Sequence, residues 1–113
     1  MEINVNNMIY GIELVDNNSN ELLMPDGNHH FGVTNYKKRM IYIMNDLRED
    51  IFYNVLRHEL VHVYIECYGM CQINWEEEVV CDFIAAHLVN INKDLQKIRE
   101  EMKKERNKDE QKI

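Results

Sequence analysis

A chain of 113 residues has room for a single hydrophobic core, and its 45% hydrophobic and 29% charged content belongs to a globular domain rather than a disordered or fibrous one. The net charge of −7 is unevenly spread: residues 93–113 hold eight Lys/Arg against six Asp/Glu, which leaves five against fourteen in residues 1–92. An acidic body excludes a general nucleic-acid binder, because such a protein needs a basic face to displace counterions from phosphate.

Met1 to Asn7 carries neither the basic stretch nor the apolar run of a secretory signal, and no apolar segment reaches membrane-spanning length. Three cysteines, Cys67, Cys71 and Cys81, make an odd number that suits free thiols in a reducing cytoplasm better than a disulfide framework. The expected location is therefore cytoplasmic, with no membrane partner.

In chain order, Ile9 to Val15 is β-rich and is stopped by the turn residues Asp16-Asn17-Asn18-Ser19-Asn20. Asp16 to His30 reads as a surface loop with a tight turn at Pro25-Asp26-Gly27-Asn28. Two short strands, Phe31 to Thr34 and Arg39 to Met44, flank a hairpin connection, and His29-His30 just before them reads as solvated. From Asp46 the period changes. Asp46 with Glu49 three residues on has the form of a capping box, and the spacing predicts a helix from Leu47 to Cys67, ended by Gly69.

A second helix is predicted from Trp75 or Glu76 to at least Val89, with Asn90 and Asn92 as possible breaks. Apolar residues recur at Ile84, Leu88, Ile91, Leu95, Ile98 and Met102, a heptad-like seam that either packs on the chain's own domain or joins two copies as a weak dimer through residues 84–102. Past Met102 the Lys/Glu-rich tail has no apolar anchor. The expected division is a domain over 1–92 and a charged helical or disordered tail over 93–113. The expected fold class is α+β, a small antiparallel or mixed sheet of about three strands packed on two helices.

His58-Glu59-Leu60-Val61-His62 is an H-E-x-x-H motif inside the first predicted helix. Residues four apart share a helical face, so both imidazoles can reach one zinc ion, while Glu59, about 100° around from His58, can act as the general base for the attacking water. A catalytic zinc takes a third protein ligand. The metzincin pattern asks for a third histidine shortly after His62, but Tyr68 stands there; peptide deformylases use an upstream cysteine, and all three cysteines here lie downstream. A glutamate from the following helix remains. Glu78 is the ligand of first choice and Glu77 of second, and Asp82, four residues after Glu78, is placed to orient a zinc histidine, as in the gluzincin arrangement. Oxyanion donors available are Tyr64, Tyr36 and His87, the last of which is expected to face away. Cys67 and Cys71 read as small buried hydrophobes rather than a second metal site.

Residues 9–90 resemble the ImmA/IrrE family of small bacterial and phage metallopeptidases, on Gly32-Val33-Thr34, the strand Met40 to Met44, the H-E-x-x-H helix, and Glu77-Glu78-Val79-Val80-Cys81-Asp82. The chain has Val80-Cys81 before Asp82 where the family commonly has Ala, and it lacks the leading helix-turn-helix that some members carry, so direct DNA binding is not implied. The resemblance implies a minimal zincin-like fold and zinc-dependent cleavage of a specific protein, often a transcriptional repressor encoded nearby. Two other functions fit the same residues: a zincin-fold module that sequesters a regulatory or toxin partner without cutting it, and a zinc hydrolase acting on a non-peptide amide. Substrate is expected to pair with a sheet edge at residues 40–44.

Overall fold

A computed structural model describes residues 1–69 and 76–111, apart from the side chains of Glu78, Asp82 and residues 108–111. The chain is α+β. Four strands, β1 (Glu2–Val5), β2 (Met8–Val15), β3 (Gly32–Asn35) and β4 (Met40–Met44), are followed by α1 (Glu49–Cys67) and α2 (Glu77–Gln111). The sheet is mixed, in the order β1-β2-β4-β3, with β2 and β4 parallel and the other pairs antiparallel.

The sheet thus has four strands rather than three. The additional strand, β1, alternates exposed Glu2 and Asn4 with buried Ile3 and Val5 and reverses at Asn6-Asn7, whose φ values of 51° and 67° make a two-residue turn of the kind that matches strand twist. Ile41 and Ile43 of β4 join Ile3, Val5, Tyr10 and Ile12 in one apolar layer. Onto it α1 lays Phe52, Leu56, Leu60, Val63, Tyr64 and Cys67, the three-and-four spacing of a helical stripe. Tyr42, on the opposite face of β4, is also buried, and so is Leu22 in the 3-10 turn Asn20–Leu22 that lies against that strand.

The capping box does not form. Asp46 sits at φ 65° outside the helix, Arg48 occupies the N-cap position without a side-chain cap, and Glu49 and Asp50 supply the negative charge that the helix start favours. At the other end, Gly69 takes φ 70° and its N–H bonds the Glu66 carbonyl, the left-handed termination that glycine allows.

Neither Asn90 nor Asn92 breaks α2, and the charged segment after residue 92 continues it to Gln111. Ile91 and Ile98 are buried in the common core, with Leu95 and Met102 packed against it. This part of the apolar seam is covered by the chain itself, whereas Ile84 and Leu88 remain about half exposed. Among the described residues no helix is long and apolar enough to cross a membrane.

Candidate metal centre and catalytic base

The stripe that α1 buries passes between His58 and His62, so the two histidines stand on the exposed shoulder of the helix and Glu59 turns inward. The His58 side chain is 70% exposed, while Glu59 is only 6% exposed among apolar neighbours. A buried carboxylate costs free energy unless it is hydrogen-bonded. Glu59 meets that condition through Thr34, whose hydroxyl donates to Glu59 Oε1 over 3.0 Å. Its other oxygen, Oε2, lies 4.0 Å from His58 Nε2.

The strand that delivers Thr34 must come very close to α1. At Gly32, two residues earlier on the same face of β3, a Cβ atom would stand 2.6 Å from Val55 Cγ1 and 3.1 Å from Glu59 Cγ. Only glycine fits without a shift. Gly32 therefore allows the approach and Thr34 uses it.

His58 and His62 converge. Their Nε2 atoms are 3.2 Å apart and their rings lie edge to face. Two nitrogens bound to one tetrahedral zinc at about 2.0–2.1 Å each would be about 3.3 Å apart, so the pair has the separation that one shared ion requires. Glu59 is held off that pair by Thr34 and stands in the position of a base rather than a ligand. Among the described residues no group of three or more His, Cys, Asp and Glu side chains is gathered for a metal, and Glu77 is exposed without joining the histidines. The side chains of Glu78 and Asp82, the expected third ligand and ligand orienter, lie outside the described residues.

Two adjoining cavities open on the motif. One, about 240 Å³, is lined by Met24, His30, Gly32 to Thr34, Tyr36, His58, Glu59 and His62; the other, about 230 Å³, by His30, Phe31, Gly32, Asn54, Val55, His58 and Glu59. A larger hollow of about 680 Å³ between α1 and α2 holds no motif residue and is lined by side chains that pair with one another, Arg99 with Glu49 among them.

Three expectations change here. Of the suggested oxyanion donors, Tyr36 lines the cleft, but Tyr64 is buried and donates to Asp94 over 2.6 Å, and His87 packs against Tyr64, Tyr68 and Phe83. The sheet edge beside the motif is β3, since β4 is paired on both sides. Met44 N–H bonds the Phe31 carbonyl, so by antiparallel alternation the backbone groups of Gly32 and Thr34 point to the open edge. Finally, His30 is part of the cleft wall, although its polar loop reads as solvated. Cys67 is a buried free thiol, as a small hydrophobe would be, and Cys71 lies outside the described residues.

Comparison with protein-family models, with curated proteins and with solved structures finds no match to this chain.

Proposed function

We propose that the protein is a zinc-dependent endopeptidase of zincin type, acting on a specific protein inside the cell. The observation that carries this reading is the pair of imidazole nitrogens 3.2 Å apart beside a buried carboxylate that a hydroxyl holds in place. A surface helix has no structural need for a buried glutamate, and a catalytic base has. The resemblance to the ImmA/IrrE peptidases belongs to the same reading, and it directs attention to a transcriptional repressor as one candidate substrate.

In this reading His58 and His62 hold the ion, with Glu78 as third ligand and Asp82 orienting a histidine. Bound zinc supplies Lewis-acid polarisation of the carbonyl and acidifies water to a pKa of about 7. Glu59 takes a proton from the attacking water and returns it to the departing amine. Thr34 fixes the carboxylate so that one oxygen faces the reacting atoms. An extended substrate pairs with the open edge of β3, its scissile carbonyl carried past Glu59 by the outward backbone groups of Gly32 and Thr34.

The test compares wild type with Glu59→Gln on a proteome-derived peptide library, reading new N-termini by mass spectrometry. Wild type should cut, and the variant should retain bound zinc while cutting about 10²–10⁴-fold more slowly. Equal cleavage by both proteins would refute the assignment of the base. Zinc binding with no cleavage by either would favour the sequestering module instead.

A further inference from the structure

We propose that His30 is a further catalytic residue of this site, the group that hydrogen-bonds the carbonyl oxygen of the scissile peptide as negative charge develops on it. This rests on the endopeptidase reading.

The loop that carries His30 is built to hold it. Gly27 N–H bonds the Met24 carbonyl over 2.9 Å, Met24 N–H bonds the Asn28 carbonyl over 3.0 Å, and Leu23 pairs with His29 as an isolated antiparallel bridge. Gly27 adopts φ 83°, a conformation that side chains disfavour, and it closes the turn. His30 N–H then bonds the Leu22 carbonyl over 2.9 Å, tying the residue to the buried end of the 3-10 turn. An exposed histidine without a task needs no such support.

The side chain is fixed as well. Asp26 Oδ1 accepts the Asn28 N–H over 2.9 Å, and Oδ2 lies 3.0 Å from His30 Nε2. The Asn28 N–H, and after it His30, hold the Asp26 carboxyl below the usual carboxylate range. Asp26 is therefore an acceptor, and Nε2 carries the hydrogen between them. The ring nitrogen left for other work is Nδ1.

Four residues are common to the walls of both cavities at the motif: His30, Gly32, His58 and Glu59. Three of these are already part of the proposed site or of the strand approach that builds it. His30 adds an orientable polar group where Tyr64 and His87 are engaged elsewhere. The imidazolium, paired with Asp26, presents Nδ1–H to the cleft, a charge-assisted donor of the kind that stabilises an oxyanion.

The step balances without a new reagent. As the water oxygen bonds to the carbonyl carbon, the π pair moves onto the carbonyl oxygen, and the His30 N–H bond to that oxygen strengthens with no proton transferred. Glu59 holds the water proton and passes it to nitrogen when the C–N bond breaks. Asp26 is a positioning residue.

The test uses a peptide that wild type cleaves, together with its analogue in which a phosphinate replaces the scissile bond and mimics the tetrahedral oxyanion. His30→Ala should lower kcat by about 10²–10³-fold with KM and zinc content unchanged, and should weaken phosphinate binding by a similar factor in calorimetry. His30→Gln, which keeps an N–H donor, should recover part of the loss, and Asp26→Asn should fall between. The proposal is overturned if His30→Ala cleaves and binds the phosphinate as wild type does while Glu59→Gln is inactive, an outcome that leaves the endopeptidase reading standing. If wild type cleaves nothing, both fall together. Should Asp26→Asn loosen the loop, circular dichroism and the His30 variants decide alone.

Discussion

Glu59 shows how much of a catalytic group lies outside its own motif. The five residues from His58 to His62 are legible in the sequence because an i, i+4 pair on a predicted helix has a known geometry. Thr34, which holds the Glu59 carboxylate, stands 25 positions away, and nothing in local spacing announces the contact. The same is true of Asp26 and His30: the loop can be read as a turn, but its place at the cleft arises from tertiary packing. Thr34→Val keeps the shape and removes the donor. Loss of a hydrogen bond to a charged group costs about 1.5–3 kcal/mol, so kcat should fall by about ten- to a hundred-fold with bound zinc retained, as steady-state kinetics and metal analysis would show.

At the scale of elements, hydrophobic period located β2, β3, β4 and both helices, and the departures have identifiable causes. β1 was hidden because Asn6-Asn7 was not weighed as a two-residue turn between alternating segments, although asparagine tolerates positive φ. α2 runs through Asn90 and Asn92 because burying Ile91 and Ile98 outweighs the small propensity cost of asparagine in a helix. The seam was readable, and its partner was not. The contact of β3 with α1 is the element-level requirement of the site. Gly32→Ala should push the strand off Val55, cost about 1–3 kcal/mol by overpacking, and lengthen the Thr34 to Glu59 bond. Thermal denaturation and activity should therefore fall together, with activity the more affected.

At the scale of the whole molecule, α2 is fastened to α1 by Tyr64 and Asp94, 2.6 Å apart and partly buried. Burial pushes the Asp94 carboxyl above its ordinary value of 3.8, and the Tyr64 hydrogen bond opposes that shift in part. With the folded value above the unfolded one, the folded state binds more protons between the two. This contribution to stability is present below the ordinary value and is lost as pH rises through the raised one. Asp94→Asn keeps an acceptor for Tyr64 and removes the charge. Its melting temperature relative to wild type should therefore rise as pH is taken upward from about 4, and a difference that stays flat or falls would contradict the assignment.

The arrangement as a whole places two histidines on an exposed shoulder, a buried base beside them, and a helix carrying further acidic residues packed on the same core. Its central claim is that this shoulder holds a metal ion. The most direct measurement is zinc stoichiometry of the purified chain by mass spectrometry after dialysis against buffered zinc, for wild type, His58→Ala, His62→Ala and Glu59→Gln. About one zinc per chain is predicted for wild type and Glu59→Gln, and loss of most of it in either histidine variant. A metal-free wild type, or zinc that stays when both histidines are removed, would contradict the account.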